Sequence, residues 1–226
     1  NYIDAGSQNI SQGGIAFNKA SANGSLVLMG DSNASMYGKM AKDIAQAFKL
    51  RLNIISVAAG DPLPHSEGPP SHLWLDSLAF VKSSHPDTVV FVCNWIKKLK
   101  DDKGQLEIAI NELKQHTHRL ILITQPPELP KAADRESMRN GSRPPFIEGQ
   151  AERATRSELN AFLKSFQHDN VMVLDIDHLF AEGDGSIRFT DDNGILLYQD
   201  GTHLSDVGAD QVKAYLIGAI GEGKTG

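Results

Sequence analysis

Five short runs of the chain are almost wholly apolar: residues 25–30 (SLVLMG), 52–59 (LNIISVAA), 88–93 (TVVFVC), 119–124 (RLILIT) and 171–176 (VMVLDI). None alternates strictly between apolar and polar positions. Continuous apolar runs of this length predict strands covered on both faces, as in a parallel sheet. Between them the period changes to three and four. Met36, Met40, Ile44 and Phe48 form one stripe; Leu106, Ala109, Ile110 and Leu113 a second; Leu159, Phe162, Leu163 and Phe166 a third. Val212, Tyr215, Leu216, Ala219 and Ile220 mark a last helix, with Ser205 as its cap and Asp206 in its first turn. Strands alternating with helices predict an open α/β sheet with right-handed crossovers, which binds ligands beyond the carboxyl ends of its strands.

Two connections are long, residues 60–76 after the second strand and 125–150 after the fourth. In a parallel sheet both emerge at the same edge, and loops of this length are usually functional. Residues 1–24 are rich in Asn, Ser, Gly, Gln and Ala without a period, and read as a linker or extension before a domain spanning 25–226. The length fits one domain with a sizeable core. A net charge of −6, from 22 Lys+Arg and 28 Asp+Glu, speaks against an electrostatic nucleic-acid binder. The apolar runs are too short to cross a bilayer. Cys93, the single cysteine, excludes an internal disulfide and lies in an apolar run, which predicts a buried, inert thiol.

The first strand stops at Gly30-Asp31-Ser32. Gly30 permits a tight turn, and N–H groups at a helix start favour developing negative charge. Ser32 there is either an N-cap or a nucleophile awaiting a base. The segment Asp200-Gly201-Thr202-His203, just before the last helix, offers that base. A tight turn would let Asp200 orient His203 and His203 face Ser32, although Asp-Gly is also a common surface turn.

These blocks resemble the SGNH, or GDSL-type, hydrolase superfamily. The first block is Gly30-Asp31-Ser32 and the last Asp200-Gly201-Thr202-His203, with the resemblance running over about residues 25–220. It implies a three-layer α/β/α, flavodoxin-like fold whose five parallel strands are ordered 2-1-3-4-5. It also implies a Ser32–His203–Asp200 triad, and an oxyanion hole from the N–H groups of Ser32 and Gly60 and the side-chain amide of Asn94. The third block departs from the family's Gly-x-Asn-Asp: here it reads Val92-Cys93-Asn94-Trp95. Trp95 is either a lining of the acyl pocket or an aromatic packed beside the sheet. The Gly-x-Ser-x-Gly elbow of α/β-hydrolases is absent.

Other candidates carry less. His116 and His118 lack a third ligand at metal spacing and read as helix-end residues. Asp175, Asp177 and His178 read as polar residues at a strand end. The glycines around Ser32 do not make a phosphate loop, since its Lys-Ser/Thr ending is missing. No cofactor and no metal are expected. Arg135, Arg139, Arg143, Arg153 and Arg156 form a basic cluster, by default a solvated face. The sharper expectation makes Arg139 and Arg143 a wall for an acidic or phosphate-bearing acceptor.

Within the superfamily the chain is most similar to SGNH domains fused behind acyltransferase-3 membrane domains. The likeness rests on the GDS block, the Pro-containing loop "GDPLP", Trp95, and Asp200, His203, Leu204, Ser205, Gly208 and Ala209 in the last block. That resemblance implies a periplasmic domain of an inner-membrane protein, joined on one longer chain to an acyltransferase-3 membrane domain. It implies an acyl donor and a carbohydrate acceptor, and O-acetyl transfer to an envelope glycan such as lipopolysaccharide O-antigen. The alternatives are a stand-alone esterase or carbohydrate deacetylase, which shares the site, and a non-catalytic glycan-binding module on the same fold.

Overall fold

Each of the five apolar runs forms a strand in the computed structural model, which describes residues 2–20 and 23–221. The strands are β1 (Ile15–Phe17), β2 (Ser25–Gly30), β3 (Arg51–Ser56), β4 (Thr88–Val92), β5 (Arg119–Ile123), β6 (Phe146–Ile147), β7 (Val171–Leu174) and β8 (Ser186–Ile187). The helices are α1 (Ser32–Ser35), α2 (Gly38–Phe48), α3 (His72–Ser84), α4 (Trp95–Lys98), α5 (Gly104–Leu113), α6 (Arg135–Arg139), α7 (Gln150–Lys164), α8 (Asp177–Phe180), α9 (Asp206–Gln211) and α10 (Lys213–Gly221).

The main sheet has the order β1-β3-β2-β4-β5-β7. Its five parallel members, β3-β2-β4-β5-β7, carry the expected order 2-1-3-4-5. Alternate residues of each strand feed two cores. Leu26, Leu28, Ile54, Val90 and Ile121 pack with α2, α9 and α10 on one face. Val27, Met29, Ile55, Phe91 and Leu120 pack with α3, α5 and α7 on the other. Burial on both faces is why the runs are continuous. The chain leaves β2 toward β3 on one side and later returns to β4 on the other. The carboxyl end of β2 is therefore the switch point where open α/β sheets place their ligands.

The reading of residues 1–24 as a linker outside the domain is corrected for the described part; positions 1, 21 and 22 lie outside the described residues. β1 pairs antiparallel with β3, Ile15 opposite Ile54, and makes the sheet six-stranded. Ala5 and Ile10 are buried, and the Asn53 amide donates to the Gly13 carbonyl at 2.8 Å. The composition is polar, but the backbone supplies a ladder to the otherwise open edge of β3.

α3 was not expected. Its buried face carries Ser77 between Trp74 and Val81, which blurs the apolar stripe. The last helix is capped as expected, Ser205 Oγ accepting from the Gly208 N–H at 3.1 Å, but it divides at Val212 into α9 and α10.

Candidate active site

Gly30 ends β2 with φ 149°, and a Cβ there would collide with the Val92 carbonyl of β4. Only glycine lets the two strand ends approach so closely. Asp31 follows as the N-cap of α1, one carboxylate oxygen accepting from the Asn33 N–H at 2.8 Å. The other accepts from the Asn94 N–H at 3.0 Å. Asp31 thus stitches the end of β2 to the end of β4 and fixes Ser32 relative to Asn94. Its burial raises the carboxyl above the ordinary range, against the lowering effect of the Asn94 and Asn33 N–H groups.

The base comes from the far end of the chain. His203 Nε2 lies 2.9 Å from Ser32 Oγ across 171 residues of sequence. His203 Nδ1 lies 2.9 Å from each Asp200 carboxylate oxygen. An ionised carboxylate only accepts, so Nδ1 carries the proton and Nε2 is left to accept from the Ser32 hydroxyl. The turn is closed by Asp200 itself, whose Oδ1 accepts from the N–H groups of Thr202 (2.9 Å) and His203 (3.0 Å). Partial burial pushes the Asp200 carboxyl up, but these N–H groups and the His203 imidazole outweigh it and hold it below the usual range. Two braces hold the turn from outside. The Leu129 N–H donates to the Gly201 carbonyl at 2.8 Å, and the Tyr198 hydroxyl donates to the Pro127 carbonyl at 3.0 Å.

The other side of Ser32 is arranged differently. As the first residue of its helix, Ser32 has an N–H with no intrahelical acceptor. Asn94 caps α4 through Oδ1, which accepts from the Lys97 N–H at 3.0 Å, so its Nδ2 donors are turned away from that helix. One of them reaches Glu128 Oε1 at 3.0 Å. This glutamate, unforeseen in the sequence, supports Asn94 where the family's second aspartate is replaced by Trp95. The N–H of Gly60 is not presented as expected: it donates to the Val57 carbonyl at 2.9 Å, closing a turn through left-handed Ala59 (φ 57°). Glycine has a packing reason to be there, since a Cβ would sit 2.9 Å from the Val57 carbonyl oxygen.

The N-terminal arm also reaches the site. The Tyr2 ring meets the His203 imidazole edge-on, with centroids 5.3 Å apart and planes at 83°. Its hydroxyl is buried without a hydrogen-bond partner, and burial together with the Asp200 charge raises the phenol well above its ordinary value. The Ile3 N–H donates to the Ser35 carbonyl of α1 at 3.4 Å, and the Ile3 carbonyl accepts from Ser56 Oγ at 3.0 Å. Asp4 Oδ2 accepts from the Ala58 N–H at 2.8 Å. The arm therefore touches the Ser32 helix, the Val57–Gly60 turn and His203 together. A tertiary contact of this kind leaves no local signal in a polar segment.

Several expected placements are corrected. Trp95 lines no acyl pocket: it is fully buried, its indole N–H donating to the Ile123 carbonyl at 2.8 Å and its ring edge-on to Phe91. The indole turns inward because a partner for its N–H lies there. The structure does not bring Arg139 and Arg143 to Ser32. Both are exposed on or after α6, and Arg143 is folded onto the Met138 and Ser142 carbonyls at 2.7 Å. Arg156 leaves the solvated cluster altogether; it is buried, gripped by both Glu148 oxygens at 2.7 Å and paired with Asp177. Its place with Leu159 and Leu163 on one face of α7 was the available signal.

Cys93 is buried, and its thiol is pushed up by burial, which makes it inert. His116 packs against His85, His118 lies 3.5 Å from Asp87, and His178 meets the Tyr215 hydroxyl at 2.9 Å. Asp175 holds Lys164 at 2.7 Å. Among the described residues no group of three or more His, Cys, Asp or Glu is placed to hold a metal ion, and no helix is long and apolar enough to cross a membrane.

Comparison with known proteins agrees with this architecture. The periplasmic domain of a Salmonella ser. Paratyphi A lipopolysaccharide acetyltransferase superposes with a TM-score of 0.64 at 16% identity, covering 90% of this chain and 84% of that one. An acetylxylan esterase from Geobacillus stearothermophilus superposes with a TM-score of 0.52 at 14% identity, covering 90% and 96%. At such identities the likeness is one of fold. No curated protein sequence matches the chain. The family profile described as "SGNH domain (fused to AT3 domains)" matches residues 6–217. With that match spanning nearly the whole chain, over the sheet whose switch point carries Ser32, the protein belongs to the family of SGNH domains fused to AT3 domains.

Proposed function

We propose that this domain is a serine-dependent O-acyltransferase that passes an acyl group through Ser32 to a sugar hydroxyl of an envelope glycan such as lipopolysaccharide O-antigen. The unbroken line Asp200–His203–Ser32, at 2.9 Å for each step, is the observation that carries the reading. Ser32 Oγ attacks the carbonyl carbon of an acyl ester or thioester while His203 Nε2 takes its proton. The tetrahedral oxyanion is met by the Ser32 N–H and the Nδ2 hydrogen of Asn94 that Glu128 does not use. Such donors are worth about 3–4 kcal/mol each to the transition state. Gly60 would join only by giving up its bond to Val57, so the hole is assigned to Ser32 and Asn94. The bond to the leaving group breaks as His203 returns the proton to it. The acceptor hydroxyl then attacks the acyl-serine, gives its proton to His203, and leaves as the ester while Ser32 recovers its hydrogen.

Membership of the AT3-fused family supports an acyltransferase-3 membrane domain on the same longer chain, and with it a periplasmic location and an acyl group delivered through the membrane part. The fold shared with the Salmonella periplasmic domain supports the same setting. One observation favours hydrolysis as a second reading. The Asp200 side chain is 51% exposed, so the outer end of the triad is open to water, which would favour hydrolysis if that access extends to the acyl-serine.

A fluorophosphonate that labels Ser32, and a p-nitrophenyl acetate reaction whose acetyl group appears on added sugar faster than as free acetate, are the expected results. Acetate release indifferent to any sugar would make the domain an esterase. A folded sample that takes no label on Ser32 would make it a binding module.

A further inference from the structure

A cavity of about 620 Å³ lies between the segment after β5 and the start of α7. It is within the range of small-ligand sites. Two hydrogen bonds tie its wall to the reacting groups. Glu128, on the rim, accepts from the Asn94 amide at 3.0 Å, and the adjacent Leu129 N–H donates to the Gly201 carbonyl in the turn that carries His203. The cavity wall is thus tied by one hydrogen bond to Asn94 and by another to the turn that carries His203. The alcohol partner of an acyl transfer must sit on the imidazole side, because His203 handles its proton.

The lining selects among alcohols. The floor is held in place: Glu148 is buried and clamped by the buried Arg156 fork, which also pairs with Asp177. Ile96, Leu129 and Ile147 supply an apolar surface, and Ile147 is half exposed toward solvent. The rim carries the carboxylates of Glu128 and Glu152 against the single ammonium of Lys131. Carboxylates only accept hydrogen bonds, so they suit hydroxyl donors and repel phosphate and carboxylate groups. An apolar surface edged by such acceptors matches the C–H face and hydroxyl edge of an uncharged pyranose.

We propose that this cavity is the acceptor site, and that it takes an uncharged, hydroxyl-rich sugar and discriminates against acidic ones. The proposal rests on the acyl-transfer reading of Ser32, and it reverses the charge preference expected from Arg139 and Arg143. Ala151 and Glu152, exposed on the first turn of α7, allow a test that leaves the core alone. The probes are methyl glucoside as a neutral acceptor and the corresponding methyl glucuronide as an acidic one, each supplied with p-nitrophenyl acetate as acyl donor, with acetate release as the competing reaction.

Ala151→Trp fills the cavity and should lower the ratio of acetyl transfer to methyl glucoside over acetate release by about tenfold, as one lost good contact would. Glu152→Arg should shift the acceptor preference from methyl glucoside toward the glucuronide by about tenfold, on charge alone. Ratios unmoved in both variants, each melting like the parent, would overturn the cavity assignment while leaving Ser32 chemistry intact. A parent protein that neither cleaves p-nitrophenyl acetate nor takes a fluorophosphonate on Ser32 would sink the acyl-transfer reading, and this inference with it.

Discussion

On the imidazole side of Ser32 every donor already faces its acceptor: Asp200 holds Nδ1, Nε2 meets the hydroxyl, and the surrounding turn is braced at Gly201 and Tyr198. Around the proposed oxyanion hole, and at Gly60 outside it, the donors are partly engaged with the protein itself. Asn94 gives one N–H to Glu128, and Gly60 gives its N–H to Val57. The difference follows from what each side must do. A proton relay works only if it is aligned before substrate arrives, whereas an anion hole must satisfy its donors in the absence of an anion. A negative charge on Glu128 beside the proposed hole would also oppose the oxyanion.

That contrast is most sharply broken by removing the relay. Ser32→Ala or His203→Ala should cut p-nitrophenyl acetate turnover by about four orders of magnitude or more, and Asp200→Asn by about three to four, measured in folded samples. Asn94→Ala should lower kcat by about 10²–10³ with little change in KM, since the lost donor acts only on the transition state. Equal losses in kcat from Asn94→Ala and Asp200→Asn would erase the distinction between the two sides.

Tyr2 tests whether the imidazole needs support from above. Tyr2→Ala should lower kcat about tenfold, the scale of one lost ring contact. Tyr2→Phe should restore it, because the hydroxyl has no partner. Failure of phenylalanine to rescue would mean the hydroxyl acts after all. Glu128→Gln keeps an acceptor for Asn94 and removes the charge, so kcat should rise about two- to threefold.

The smallest effect lies in stability. Asp200, held below its unfolded value, contributes stability present above about pH 4 and lost as pH falls through its folded value. Asp31, raised by burial, works in the opposite sense and costs stability as pH rises through its own window. Denaturant melts should therefore show the gap between the parent and Asp200→Asn narrowing as the solution is acidified, and the gap for Asp31→Asn moving the other way.

What could be read in the sequence was what is local. The five strands are legible because burial on both faces of the central strands makes their runs predominantly apolar. Gly30-Asp31-Ser32 and Asp200-Gly201-Thr202-His203 are each compact local blocks, but adjacent residues alone left a cap and a surface turn open, and the family resemblance joined them into one site. Contacts between distant segments were not legible. Tyr2 on His203, Glu128 on Asn94 and Glu148 on Arg156 each join residues whose types are ordinary and whose spacing carries no period. Trp95 shows the limit from the other side. A large aromatic next to a functional residue suggests a pocket wall, yet the free Ile123 carbonyl and the Phe91 ring draw it into the core.

The arm from Tyr2 to Ala5 lies between Ser35, Ser56 and the imidazole, with Ile3 packed tightly against Gly38. The Tyr2 ring is thus the one described link between this arm and His203, the proposed base. A substitution or fusion that displaces Tyr2 is expected to alter turnover through the position of the imidazole.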